Sequence, residues 1–140
     1  MASGRPTTPI LSYRDLTAWQ KAMDLVVLTY GVAEQLAHTE MFALASQMRR
    51  SAVSVPANVA EGHGRFYRRD YVRILSIANG SLMELETELT AAHRLRYITE
   101  KRLSQFLVRS SEVARLLAGL RRSLERGGFR QARSTMASNA

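Results

Sequence analysis

QMRRSAVSVPANVAEGHGR, residues 47–65, is the stretch on which the reading of the fold turns. Met48, Val55 and Val59 recur in it at helical spacing, and Ser51, Ala52, Ser54, Ala57 and Ala60 are small enough to admit a neighbouring backbone. One apolar side bordered by small residues predicts a helix packed closely on another. Pro56 removes a backbone donor and crowds the carbonyl four residues earlier, so a loosened or bent turn is expected over 52–55. Gly62 and Gly64 are expected to end the helix by adopting the left-handed conformation, which costs glycine little.

Upstream, Ser12 is placed to cap a first helix with Asp15 in its first turn, and Leu16, Trp19, Met23, Val26, Tyr30 and Ala33 follow at steps of three and four. A second apolar stripe, Ala18, Leu25, Leu28 and Val32, flanks the first. A helix packed on one side only has no use for that width, so these four residues are assigned to an oligomer interface. Thr39 is the expected cap of the second helix, whose stripe begins with Phe42 and Leu44. Downstream, Tyr71, Leu75, Ala78, Leu82, Leu85, Leu89 and Ala92 alternate steps of four and three without a break. Thr99 is placed to cap a last helix carrying Leu103, Phe106, Ser110, Val113, Leu117, Leu120 and Leu124, which Gly127 and Gly128 terminate. Four helices with short links predict an all-α, antiparallel up-down-up-down four-helix bundle over residues 12–126. Residues 1–11 read as an unstructured lead-in, and residues 127–140 as a disordered basic tail with too little apolar content to pack.

Three runs, QMRRSAVSVPANVAEGHGR, the earlier YRDLTAWQKAMDL and the later YVRILSIANGSLMELETEL, resemble a four-helix-bundle family encoded in intervening sequences of 23S ribosomal RNA genes. The family is similar in fold to the accessory variability determinant of diversity-generating retroelements. The likeness spans about Tyr13 to Leu124, and its most distinctive part is the signature formed by Asn58, Ala60, Glu61 and Gly62. The resemblance implies a bundle that assembles into a ring, usually a pentamer, with no enzymatic activity and a role in binding nucleic acid. Members often carry a serine before the third helix, whereas this chain has RFYRRDY and is more basic there.

Composition supports one soluble domain: 140 residues, 46% hydrophobic and 23% charged. Absence of cysteine excludes disulfides and thiolate metal sites, and with neither a signal peptide nor a bilayer-length apolar run the expected compartment is the cytoplasm. The net charge of +8 is carried almost wholly by arginine, since only Lys21 and Lys101 are lysines. Its planar fork suits phosphate and base edges. The excess is also uneven: residues 47–73 hold six basic against two acidic residues and residues 101–140 nine against two, while the other two segments are slightly acidic.

Catalytic and metal constellations are not found. A carboxylate-bridged di-iron site needs Glu-x-x-His on each of two helices, and the Glu84, Glu86, Glu88 and His93 run contains no such spacing. No Gly-x-Ser-x-Gly elbow and no phosphate-binding glycine loop occur either. The expectation is a protein that is not an enzyme and takes no cofactor or metal. His38, His63 and His93 read as surface residues near helix ends, with His63 in a loop.

Asn58, Glu61, Gly62, Ser81 and Glu84 carry the family signature, and two readings stand for their polar groups. In the favoured one they are structural, with Asn58 and Ser81 hydrogen-bonding between the second and third helices and Glu61 and Glu84 pairing with nearby arginines such as Arg49 or Arg50. In the other they line a groove for a ligand or partner. The arginines point outward to a polyanion. Arg65, Arg69 and Arg73 would form one helical stripe beside Arg68, with Phe66 and Tyr67 supplying aromatic faces, and Arg115, Arg122 and Arg126 a second, continued by Arg130 and Arg133. Local acids are too few to pair them, so these residues, with Arg49 and Arg50, are the candidate nucleic-acid contacts. The functional expectation is an oligomer that binds RNA, or less readily DNA, through phosphate contacts. The alternative is a protein-interaction scaffold, such as an accessory subunit of a reverse transcriptase.

Overall fold

The computed structural model describes residues 9–38 and 41–127, and all regular structure in them is helical. A single 3-10 turn, Tyr13–Asp15, leads into α1 (Thr17–Ala37), α2 (Phe42–His63), α3 (Arg68–Arg94) and α4 (Glu100–Glu125). Ser12 caps the short turn and not α1. Its hydroxyl accepts the Arg14 N–H at 3.1 Å, while the Asp15 carboxylate accepts the N–H groups of Leu11 and Ser12. Asp15 thereby holds the chain entry in place, and the ring of Tyr13 meets Trp19 edge to face at 5.3 Å.

Each helix packs on two neighbours: α1 on α2 and α4, and α3 on α2 and α4. Contacts step in opposite directions along α2 and α3, from Gly62 against Tyr71 to Ser54 against Ser81 to Ser51 against Glu88. Along α3 and α4 they step likewise, from Arg68 against Leu124 to Glu86 against Ser110. The α3 stripe expected from its spacing is buried at every position, and so is the α4 stripe apart from the half-buried Leu120. Ser110, fully buried in that stripe, donates to Glu86 Oε1 at 2.6 Å, so the polar group costs little and fixes the register of α4 on α3.

The first helix is corrected. Ala18, Leu25 and Val32, assigned to an oligomer interface, are 5%, 1% and 1% exposed and lie in the chain's own core with Ala22, Thr29, Ala33 and Leu36. Leu28 is half-buried and packs against that core. Of the stripe expected inside, Ala33 is buried and Leu16, Trp19 and Val26 pack against the core, but Met23 and Tyr30 are 37% and 44% exposed. Small residues explain the choice, because Ala18 and Ala22 let α1 approach its neighbours more closely than Trp19, Met23 and Tyr30 would. Thr29 is tolerated there because its hydroxyl bonds the Leu25 carbonyl at 2.7 Å. Phe42, expected to begin the α2 stripe, is 66% exposed, while Met41 before it and Leu44 after it pack against the core.

The glycine expectations divide. α2 runs unbroken through buried Pro56 to His63, and Gly64 ends it with φ −80°, which is not left-handed. Gly62 lies inside the helix for a different reason: a Cβ there would stand 2.9 Å from the Tyr71 ring. Gly127 does take a left-handed φ of +90° after α4, and Thr99 caps α4 through the Arg102 N–H at 3.1 Å. Thr39 lies outside the described residues, and Met41 holds the N-cap position of α2 without a side-chain bond.

Candidate nucleic-acid interface

The link Gly64–Tyr67 crosses one end of the helices and is too short to fold its own side chains inward. Phe66 and Tyr67 are left 75% and 66% exposed. Tyr67 is extended at the N-cap of α3, so α3 starts at Arg68 and Arg65 is not part of its stripe. Arg65 instead pairs with Glu61, one turn back on α2. Arg69 and Arg73 stand one turn apart on α3 and are exposed.

Arg68 joins the two basic segments. Its Nη1 donates to the carbonyls of Leu124 and Glu125 at 3.3 and 3.5 Å, in the last turn of α4. Those carbonyls lie past the last i→i+4 bonds of the helix, the Leu124 carbonyl also accepting the Gly127 N–H at 3.1 Å, and the negative end of the helix dipole favours a cation beside them. Arg68 is therefore half-buried and committed to closing the bundle, and it brings the α2–α3 link against the end of α4. Arg121, Arg122 and Arg126 arrive at the same place, all exposed. Three acids sit among them: Glu61, held by Arg65; Glu125, held by Arg121; and Asp70. Arg69, Arg73, Arg122 and Arg126 form no ion pair among the described residues, which leaves a positive surface with two exposed rings in it.

Other candidates stand apart. Arg115 lies eleven residues before Arg126 on α4, about 16 Å along the axis, and bonds Ser111. Arg49 and Arg50 are at least about 20 Å along α2 from Gly64. Arg49 lies over the Tyr30 ring at 5.7 Å and Arg50 borders a groove on another face. Arg130 and Arg133 fall outside the described residues. Arg121, which the sequence reading omitted, belongs to the end cluster; only its neighbours in space show that.

The signature residues are organised around Ser54, another omission. Asn58 does not reach Ser81 itself: its Nδ2 donates to the Ser54 carbonyl at 2.7 Å and the Ser54 hydroxyl at 3.0 Å, and Ser54 bonds Ser81 across the helices at 2.8 Å. Glu61 does pair with a nearby arginine, but the partner is Arg65, four residues on and just past the end of α2, in place of Arg49 or Arg50. Ser54, Ser81 and Glu84 border an open groove of about 700 Å³ between α2 and α3, with Gln47, Arg50, Ser51 and Glu88. Burial raises the Glu88 carboxyl above its ordinary range and Glu84 adds to the rise, while the Ser51 hydrogen bond and Arg50 oppose it. Among the described residues Glu88 Oε1 is buried without a partner.

His63 is the last residue of α2, half-buried, with Nδ1 3.3 Å from the Tyr71 hydroxyl and the two rings edge to face. Burial pushes that phenol above its ordinary value. Among the described residues no three His, Asp or Glu side chains gather as a metal site would need, and no helix is long and apolar enough to cross a membrane.

The same fold occurs in a crystal structure from Bacteroides thetaiotaomicron, described as a protein of unknown function from the S23 ribosomal protein family. The two chains are 26% identical and superpose with a TM-score of 0.71, over 74% of this chain and 97% of that one. No curated protein matches the sequence. The profile of the 23S rRNA-intervening sequence proteins matches residues 14–119, most of the chain and nearly all of its four helices, so the protein belongs to that family.

Proposed function

We propose that the protein is a non-enzymatic, cytoplasmic RNA-binding protein that grips phosphates at the end of the bundle where the α2–α3 link meets α4. The observation that carries this is the convergence of two basic segments, separated by some fifty residues of chain, through the Arg68 contact with Leu124 and Glu125. Unpaired guanidinium groups on a solvated surface repel one another, and a polyanion relieves that repulsion while releasing its condensed counterions. RNA is favoured over DNA by the family's name, and the 23S rRNA in it gives the class of nucleic acid to try first. Changing Arg69, Arg73, Arg122 and Arg126 together to Gln should weaken binding to all RNA sequences alike. It should also lower the slope of log affinity against log salt by up to about 2.8, at about 0.7 per phosphate contact on single strands. Unchanged affinity in that variant, or no RNA binding by the wild-type protein freed of co-purified nucleic acid, would refute the reading.

The helices in this reading form an antiparallel up-down-up-down bundle whose copies assemble into a ring, a pentamer by family likeness. Its supporting feature is the exposed apolar line Met23, Val27 and Tyr30 on α1, with Val27 73% exposed. The same line favours the second reading, a scaffold for a different protein such as a reverse transcriptase. The two differ in outcome: the ring predicts a multiple of the monomer mass in purified protein, and the scaffold predicts RNA binding only once the partner is added.

A further inference from the structure

The exposed pair Phe66 and Tyr67 adds a selectivity that phosphate contacts alone do not supply. Two large rings, 75% and 66% exposed, are consecutive residues in a four-residue link, whereas the rings of Tyr71 and Phe106 are buried in the core. Leaving them in water forgoes the burial that rings of this size supply elsewhere, so their place calls for a surface that covers them. Charge decides what that surface is. Arg69 and Arg73 follow directly on α3, Arg122 and Arg126 stand in the last turns of α4 that Arg68 joins to the start of α3, and of the three acids nearest to hand Glu61 and Glu125 are already paired, which leaves Asp70 against four arginines. The occupant must carry negative charge and planar apolar faces together.

We infer that this end of the molecule selects single-stranded over double-stranded RNA, with unpaired bases stacked on Tyr67 and Phe66 while Arg69, Arg73, Arg122 and Arg126 hold the flanking phosphates. The inference rests on the phosphate-binding function proposed above. Duplex RNA offers the same phosphates, but its base faces are closed inside the helical stack, so only an unpaired strand gains from the rings. Stacking is indifferent to base identity, because every base has a π-face, and the preference is therefore for strandedness and not for sequence. The geometry of the link supports the assignment. Tyr67 has an extended backbone at the N-cap of α3 and its carbonyl accepts the Tyr71 N–H, so the first turn of α3 anchors the ring's backbone.

The test measures binding of a short oligouridine, a blunt RNA duplex of equal length and phosphatidylserine vesicles to the full chain, to Phe66→Ala/Tyr67→Ala and to Phe66→Trp/Tyr67→Trp. Melting curves confirm that both variants stay folded, as exposed positions allow. The alanine variant should lose about tenfold in oligouridine affinity for each ring removed, with duplex affinity and both salt slopes unchanged. The tryptophan variant should keep or exceed wild-type affinity for the single strand. Equal losses on duplex and single strand, or no loss on either, would overturn the inference. If the alanine variant binds oligouridine as the wild type does while the four-arginine variant binds neither RNA, phosphate binding stands and strand selectivity falls. Ring-dependent binding to the vesicles, as strong as to oligouridine, would instead make this end a membrane-surface contact and sink the assignment to RNA.

Discussion

A glycine and a glutamate show how much one side chain's surroundings decide. Gly62 leaves room on α2 for the Tyr71 ring, since an added Cβ would meet Cδ1 at 2.9 Å and the Ile74 methyl at 3.4 Å. Tyr71 is 1% exposed and cannot swing away, so Gly62→Ala should destabilise the protein by about 1–3 kcal/mol in urea unfolding. Gly80, on the exposed side of α3, has nothing within 4 Å of its would-be Cβ, and Gly80→Ala should stabilise by up to about 1 kcal/mol through helix propensity alone. Glu88 is the second case. Its pKa is raised in the folded state, first by burial, so the folded protein holds that proton more tightly than the unfolded chain does. Stability from this group is complete below the ordinary carboxylate range and is lost as pH rises through the raised value. Glu88→Gln keeps an acceptor for Ser51 but cannot ionise. The variant's melting temperature should match the wild type near about pH 4 and exceed it by a growing margin towards pH 7, and a margin that stays constant would contradict the assignment.

At the scale of elements, the α1 register makes a sharp forecast. Leu25 points into the core and Val27, two residues on, is 73% exposed. Leu25→Glu would bury a charge in place of an apolar side chain, at a cost of at least about 3 kcal/mol, and should abolish the cooperative melt seen by circular dichroism. Val27→Glu should leave the melt within about 0.5 kcal/mol of wild type. Opposite results would return α1 to the register that its Trp19, Met23 and Tyr30 spacing first suggests. The end of α3 offers a separate test. Arg96 occupies the left-handed region at φ 67°, with its N–H on the His93 carbonyl and the Tyr97 N–H on the Ala92 carbonyl, the closure that helices ordinarily give to glycine. Arg96→Gly removes that backbone strain and should stabilise by about 0.5–1 kcal/mol in the same urea assay.

For the whole molecule, charge and assembly are linked. An oligomer repeats the basic end, so weak contacts multiply along one RNA strand, and a variant that dissociates the ring should lose more affinity than any single arginine change. Val27→Glu is the variant to use, read by light scattering for mass and by RNA titration for affinity. A monomeric wild-type protein at micromolar concentration would refute the ring. Removing residues 128–140 deletes Arg130 and Arg133, and by the sequence reading of that segment it should leave the melt unchanged. The salt slope on single strands should fall by about 1.4 between about 50 and about 200 mM salt.

The sequence by itself determined that there are four helices, where α3 and α4 bury their faces, and that arginine is concentrated in two separated segments. α3 was legible because its apolar residues repeat in one unbroken stripe from Tyr71 to Ala92, while those outside it, such as Ile77 and Met83, are scattered and form no competing stripe. α1 has apolar residues around more than half of its circumference, and periodicity then admits two rotations; the approach distance of α2 and α4 chose the one lined with alanine. The signature residues were legible as a polar set between α2 and α3, but the bridging role of Ser54 was not, because a lone serine leaves no periodic trace. Only the tertiary structure took Arg65 out of the α3 stripe, drawn back to Glu61, and committed its neighbour Arg68 to the carbonyls of α4. The charge clusters are some fifty residues apart in the chain, and no local pattern says that they meet. They do so because the short α2–α3 link and the end of α4 lie at the same end of the helices, where one half-buried guanidinium bonds carbonyls of the last helical turn.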